Sequence, residues 1–335
     1  MKSFDRTRCI KIMSAKKAAQ TVSQCVLLMS LGLILLSGCG AAVSNSGSSV
    51  KIVGGRSAEA ASFHAVALFR PDSTGVNYVF CSGALLTPRH VLTAAHWSLK
   101  QDHLPYNTSD LYVIAGRSKP EATDKSVSDD GSAKVAVRTM TIHPAFNQSA
   151  MGKESNGVVA LKDANDLAVW ELAEPVKNVS PAAVLNATDS QALLQASASL
   201  TITGFGQKSG WESPWAPHEF AVAETNFTTE YQQKKTEMVT DARGEMVKNV
   251  TLIKLPSVSA GEFYAGGTGQ PDTCKGDSGA PVFAKSPSGQ LLILGLTSRG
   301  SSVCETGGVY TRVGAHLPWL EAVASGMVIQ GLSGL

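Results

Sequence analysis

The stretch 271-PDTCKGDSGAP-281 places Ser278 between Asp277 and Gly279, with a second aspartate, Asp272, six residues upstream. A serine hydroxyl attacks a carbonyl carbon only when a neighbouring base takes its proton, and that base must itself be held. Two chain orders could supply the partners. In the first, a Gly-x-Ser-x-Gly elbow precedes an acid and then a histidine. Here Ala280 stands where the last glycine belongs, and the histidine downstream is His316, with Glu305 as its acid only eleven residues earlier. In the second order, histidine and aspartate precede the serine. The run 91-VLTAAHW-97 is apolar and strand-like and delivers His96; 165-NDLAVWEL-172 opens an alternating strand at Asp166. His96 would take the proton of Ser278 and return it to a leaving amine, while Asp166 fixes the imidazole tautomer and stabilises the imidazolium. The second order fits.

The elements that must carry these residues are short. Strand-like runs at Phe63–Phe69, Tyr78–Leu86, Leu111–Ala115, Lys134–Ile142, Leu167–Leu172, Leu200–Thr203, Val250–Leu255, Leu291–Leu296 and Gly308–Val313 alternate with glycine- and proline-bearing turns. That pattern predicts an all-β architecture of barrels or sandwiches. His316–Ala324 is the exception: Leu317, Leu320 and Ala324 fall at helical spacing with Pro318 near the start, which predicts a short C-terminal helix. Residues 143–165 and 206–218 read as surface loops. The polar region 224–248 yields no element, and no internal repeat is visible.

The 335 residues are 43% hydrophobic and 17% charged, as suits a folded, turn-rich chain rather than a disordered one. The formal charge of +2 comes from the N-terminus, where Lys2, Arg6, Arg8, Lys11, Lys16 and Lys17 face only Asp5. Beyond residue 38 there are 23 basic and 26 acidic residues, which leaves no electrostatic footprint for nucleic acid. The basic start runs into Val26–Leu36, an apolar stretch of eleven residues, short of the about 20 that a spanning helix needs. Residues 1–38 are therefore expected to be a secretory signal, with Met13 offering a second start. The run ends in Leu36-Ser37-Gly38-Cys39, which resembles the lipobox of bacterial lipoproteins. That resemblance implies lipidation of Cys39 as the mature N-terminus, and Gly40 after it leans towards the outer membrane. An ordinary cleavable signal with an incidental cysteine is the simpler alternative. Residues 39–51 read as a flexible tether and propeptide. Export permits disulfides among Cys81, Cys274 and Cys304, one of which must be left over if lipid takes Cys39.

IVGG at 52–55, TAAH at 93–96, DLA at 166–168, GDSGAP at 276–281 and GVYTRV at 308–313 together resemble the chymotrypsin-fold serine proteases. They stand in that family's order and cover Ile52 to about Ala324. The resemblance implies two six-stranded antiparallel β-barrels followed by a short C-terminal helix, with a protease domain over 52–325 and a tail over 326–335. It implies a serine endopeptidase with His96, Asp166 and Ser278 as catalytic triad and the N–H groups of Gly276 and Ser278 as oxyanion hole. Asp272 matches the base of the primary pocket in trypsin-like members, where a carboxylate pairs with a substrate Arg or Lys. Gly300 and Gly308 match its open walls, and Ser298 matches a serine that lines the site near the triad aspartate and helps hold the substrate backbone. Lys51-Ile52 matches the activation bond, and Asp277 the partner of the new Ile52 ammonium, which implies a zymogen. Cleavage there would also part the enzyme from a lipid on Cys39. Cys274 and Cys304 match a disulfide pair.

Two departures stand out. Cys81 matches a half-cystine whose usual partner is replaced by Trp97, so Cys81 is expected to be a buried, inert thiol. Arg299 stands where the family has tryptophan, on the pocket rim, from which it could favour acidic substrate side chains or swing towards Asp272. It therefore keeps alive a rival reading as a catalytically inactive protein that binds others. An elbow-type esterase and a plain structural lipoprotein explain fewer residues. No cofactor and no metal site are expected; Asp129-Asp130-Gly131 reads as a solvated loop. The expected partners are protein or peptide substrates and, before activation, a membrane reached through lipid. The expected protein is a monomer, exported to the periplasm or the outer membrane and open to secretion once activated.

Overall fold

The computed structural model describes residues 52–100, 102–123, 133–151, 163–177, 179–196, 198–209, 218–228, 231–255, 260–300 and 304–332. The signal, Cys39, Lys51 and the segment around Asp129 lie outside the described residues.

After the two-residue strand β1 (Arg56–Ser57), six strands close a first barrel. These are β2 (Ala65–Pro71), β3 (Asn77–Thr87), β4 (His90–Thr93), β5 (Tyr112–Ala115), β6 (Ala133–Ile142) and β7 (Ala168–Leu172), joined in the order β2-β3-β4-β7-β6-β5. A connector then carries β8 (Ala183–Leu185) and the helix α1 (Ala187–Gln195). The second half contains β9 (Ser199–Gly204), β10 (Ala221–Thr228), β11 (Tyr231–Thr240), β12 (Met246–Leu255), β13 (Glu262–Ala265), β14 (Pro281–Lys285), β15 (Leu291–Gly300) and β16 (Gly308–Arg312). Strands β9, β10, β13, β16, β15 and β14 follow one another, and the β14–β9 pairing Val282↔Ile202 closes the second barrel. The helix α2 (Leu317–Val323) and the short strand β17 (Ile329–Gln330) end the chain. The fold is two closed antiparallel six-stranded barrels with a short C-terminal helix.

Strand β3 shows why the first barrel reads as continuous apolar runs instead of clean alternation: from Val79 onward it is buried on both faces. One face fills the barrel, where Phe80, Cys81 and Leu85 meet Val113 and Trp170. The other meets the second barrel, where Ala84, Leu86 and Leu92 pack with Val184, Phe283, Ile293 and Val313. A third cluster crosses the seam as well, joining Ala67, Phe69 and Val79 to Phe205, Phe220 and Val222. The cleft between the barrels is thus fixed by packing from both sides.

Three features were not expected. Helix α1 begins at Asn186, whose side chain accepts the Asp189 N–H, and the acidic Asp189 in its first turn suits the helix N-terminus. Strands β11 and β12 form a ten-pair hairpin outside both barrels; the end of β12 is the expected run Val250–Leu255, whereas β11 and the start of β12 fall in the polar region 224–248. Strands β8 and β17 extend the second sheet in parallel, pairing Leu292↔Ala183 and Ile329↔Val184.

Because Phe283 is fully buried in the cluster shared by both barrels, Phe283→Ala is expected to cost about 3–5 kcal/mol. Urea unfolding of the protease domain should show one transition moving as a whole. Two transitions, only one of them shifted, would mean that the barrels do not depend on this seam.

Candidate active site

His96 follows β4 in a one-turn helix spanning Ala95–Ser98, and Asp166 lies two residues before β7. Strands β4 and β7 are paired through Thr93↔Ala168, so the register of one ladder sets the two side chains together. The His96 backbone N–H donates to Asp166 Oδ1 at 2.9 Å, and Nδ1 donates to Oδ2 at 2.7 Å. Asp166 has no exposed surface. Its Oδ2 also accepts from Ser298 Oγ at 2.6 Å, and its backbone oxygen accepts from Thr311 Oγ1 at 3.2 Å. Burial by itself would raise this carboxyl. The charge and hydrogen bonds of His96, together with Ser298, outweigh it and hold the group below its ordinary value. An ionised Asp166 can only accept, so Nδ1 carries the proton and Nε2 keeps a lone pair for a substrate-side proton.

Ser278 sits on a turn clamped to the first barrel. Ser82 N–H donates to the Ser278 carbonyl at 3.1 Å, and Ser82 Oγ donates to the Gly276 carbonyl at 2.9 Å. Gly279 has φ +79°, and a methyl there would lie 2.2 Å from Thr93 Oγ1 and 2.8 Å from the Ala94 nitrogen. The serine turn is therefore pressed against the segment that ends at His96, an approach only glycine permits. Gly276, at φ +97°, lies against Gly206. No hydrogen bond joins Ser278 Oγ to His96 among the described residues; such contacts commonly tighten only around a substrate.

Asp277 points away from the cleft. It is fully buried, with Oδ1 accepting the Gly206 N–H and Oδ2 the Cys274 N–H, each at 2.7 Å. A methyl at Gly204 would fall 1.9 Å from Oδ1, so this strand end is built around the carboxylate. Ile52 is 1% exposed within the second barrel's core. Val53 forms a two-way backbone bridge with Asp272, at 3.0 and 3.1 Å.

Asp272 is almost wholly buried. One carboxylate oxygen, Oδ2, accepts three backbone N–H groups, from Glu305 at 2.7 Å, Thr306 at 3.1 Å and Gly307 at 3.0 Å. The other, Oδ1, is buried with no hydrogen-bond partner among the described residues. Burial pushes the carboxyl up to about 6 against the opposing pull of the Gly307, Thr273 and Thr306 N–H groups, and Glu305 adds to the rise. Gly300 and Gly308 face each other across β15 and β16 beside it. The turn that supplies the three donors is fastened by the Cys274–Cys304 disulfide, with Cα atoms 5.3 Å apart. An orphaned buried acceptor is costly until a donor arrives.

Arg299 is corrected by the structure. Its side chain is only 6% exposed, and its two Nη groups each donate at 2.8 Å to Glu262, one to each carboxylate oxygen. It lies neither on an open rim nor against Asp272. Burial would lower the guanidinium, but the Glu262 bonds and charge hold it above its ordinary value. Glu262 also accepts the Ala164 N–H at 3.0 Å, close to Asp166. The sequence signal for Glu262 was a lone carboxylate beginning the run EFYA, which is otherwise wholly apolar and buried. Cys81 is buried and free, and burial pushes its thiol well up.

Residues 52–320 match the trypsin family. The chain belongs to that family. Among its relatives, phenoloxidase-activating factor 3 of Holotrichia diomphalia is 28% identical over 81% of this chain and 72% of its own. Chymotrypsin-C of Bos taurus is 28% identical over 86% of this chain and 94% of its own, and trypsin of Saccharopolyspora erythraea 29% over 83% and 100%. These trypsin-family relatives carry both trypsin and chymotrypsin names, so specificity has to be argued from the surroundings of Asp272.

Removing one partner of the Arg299–Glu262 pair should be far worse than removing both. Arg299→Met is expected to cost about 3–5 kcal/mol in urea unfolding, and adding Glu262→Met should recover most of it. A double variant no better than the single would show that the pair contributes more than mutual neutralisation.

Proposed function

We propose that the chain is a serine endopeptidase cutting after Arg or Lys, made as a zymogen and switched on by cleavage of Lys51-Ile52. The observation that supports the specificity is the buried Asp272 Oδ1, which has no partner among the described residues, with Gly300 and Gly308 paired on the neighbouring strands. A substrate ammonium or guanidinium supplies the missing donor and the opposite charge together. With that side chain seated, Ser278 Oγ attacks the following carbonyl carbon while His96 Nε2 takes its proton. The developing oxyanion is met by the N–H groups of Gly276 and Ser278. His96 then gives the proton to the leaving amine as the C–N bond breaks. Water repeats the sequence on the acyl-enzyme, with His96 again as base, and releases the new carboxyl terminus.

The activation step draws support from Ile52. It is held at φ +61°, an unfavourable conformation for a β-branched residue. That dihedral exists only while the bond to Lys51 is intact, so cutting removes the strain and frees an ammonium next to a buried core. Asp277 is its proposed partner, since a buried ammonium is tolerable only when paired. Residues 1–38 are proposed as a secretory signal and Cys39 as a lipid anchor, from which cleavage after Lys51 would release the enzyme. Lys51 itself satisfies the proposed specificity, so one active molecule can activate another.

A chain beginning at Ile52 should hydrolyse peptide amides ending in Arg and Lys in preference to Phe and Ala. Ser278→Ala is expected to lower turnover by about 10⁴-fold or more. Activity on Phe alone, or activity surviving in Ser278→Ala, would overturn the reading. Full activity of an uncut chain carrying Lys51→Gln would overturn the zymogen step alone.

Asp272 also sets a pH dependence. A cationic inhibitor such as benzamidine needs Asp272 ionised, and with no cation bound the proton leaves only near pH 6. Its affinity should be level above that pH and fall about tenfold per unit below it. Affinity unchanged down to about pH 5 would place the cation elsewhere.

A further inference from the structure

A cavity of about 370 Å³ opens beside the nucleophile turn. Gly276 and Ser278 form one end, and Arg70, Tyr78, Phe80, Trp97 and Lys275 stand around it. Asp272, Gly300 and Gly308 do not line it. We propose that this cavity binds a carboxylate carried by the first or second residue after the cut bond. The inference rests on the cleavage reading above and extends it to the leaving half of the substrate.

Direction follows from the chemistry. With the residue before the cut at Asp272, the rest of the chain leaves on the side where His96 returns a proton to it. Trp97 is the next residue after His96 and lines the cavity.

Charge follows from the lining. Among the described residues that line it, Arg70 and Lys275 carry positive charge, and none is Asp or Glu. Arg70 is held rigidly: its guanidinium carbon lies 4.7 Å from the Phe80 ring centre, 5.1 Å from that of Tyr106, and 5.5 Å from those of Tyr78 and Trp97. Nε donates to the Tyr78 hydroxyl at 2.8 Å, and one Nη donates to the Tyr106 hydroxyl. Among the described residues the second Nη has no hydrogen-bond partner, and no carboxylate pairs with Arg70. The buried indole N–H of Trp97 is also without a partner. Lys275 is placed beside them by its backbone carbonyl, which accepts the Gln207 N–H at 2.8 Å.

A preordered cation with unfilled donors, framed by aromatic rings, favours a planar carboxylate. A second cation would be repelled, and a purely apolar group would leave the donors buried and unmet. The aromatic frame keeps the guanidinium from following solvent, so the ordering cost of binding is low.

The test uses the chain beginning at Ile52 and quenched peptides with Lys before the cut. Glu, Gln, Ala or Lys stands first or second after it, all with amidated ends. A further arm compares an Ala peptide ending two residues past the cut as free acid and as amide. The Glu peptides should exceed the Lys peptides in kcat/KM by about tenfold, chiefly through KM, with the difference shrinking in high salt. If only the free acid is favoured, the carboxylate is that of a chain end rather than a side chain, and the proposal stands. Arg70→Gln and Lys275→Gln should each erode the preference, and Arg70→Lys should keep part of it. A lysine anilide, with nothing after the cut, should respond to none of the three. Equal turnover of Glu and Lys peptides, or a preference indifferent to Lys275→Gln, overturns the proposal. If the anilide is not cleaved at all, it is the cleavage reading that fails. Titration with fluorescent Ser-Glu-amide and Ser-Lys-amide then judges the cavity alone: binding of the Glu form weakened by Lys275→Gln supports it, and equal binding of both overturns it.

Discussion

The carboxylate of Asp166 lies between two barrels with no water to solvate it, and much of the active site is what keeps it ionised there. Each donor comes from a different part of the chain. His96 reaches it from the β4 side of the first barrel, and Ser298 from β15 of the second. Thr311 holds its backbone from β16. An unpaired buried charge would neutralise or pull the seam apart. The same bonds that hold the imidazole in one tautomer therefore tie the barrels in one relative setting. The Phe283 and Phe205 clusters on either side make that setting rigid.

Two further aspartates at the seam are solvated by backbone instead, with different outcomes. Asp277 has both oxygens met by backbone N–H groups, of Gly206 just after β9 and of Cys274 three residues before the aspartate, in a space that the glycines at 204 and 206 leave open. Asp272 has three donors on one oxygen and, among the described residues, none on the other. Beside Ser278, the cavity around Arg70 has the opposite sign. In the proposed binding mode, a substrate meets a carboxylate before the scissile bond and a fixed guanidinium after it. Such a field orients a chain as well as binding it.

The residues proposed to carry the chemistry each sit in a short local string, and the structure places His96 against Asp166 as those strings imply. TAAH, DLA and GDSGAP each name a turn whose geometry depends on small residues near the side chain. The Cys274–Cys304 pairing and the C-terminal helix at 317–323 followed from the same resemblance and from helical spacing. What escaped was nonlocal or disguised. Arg299 finds Glu262 across 37 residues, and nothing next to either one announces it. Helix α1 did carry its signals, Asn186 as cap and Asp189 in the first turn, but it buries only Ser190 and Leu194 and so lacks a long apolar stripe. The end of β12 was legible as the run Val250–Leu255, but β11 and the turn through Asp241 and Gly244 lie in a polar stretch with no apolar alternation. Strand β14 was hidden because its residues begin inside the motif that names the nucleophile.

The most direct test of the central claim is to label the chain that begins at Ile52 with two aryl phosphonates and locate the adduct by mass spectrometry. One phosphonate carries a lysine-like side chain and the other a phenylalanine-like one. A serine attacks such a phosphorus only if a base removes its proton, and the side chain reports which slot is filled. Rapid modification of Ser278 alone by the lysine-like reagent, slowed by competing benzamidine, is the expected result. No adduct on Ser278, or equal labelling by the phenylalanine-like reagent, would contradict the joint assignment of His96, Asp166 and Asp272.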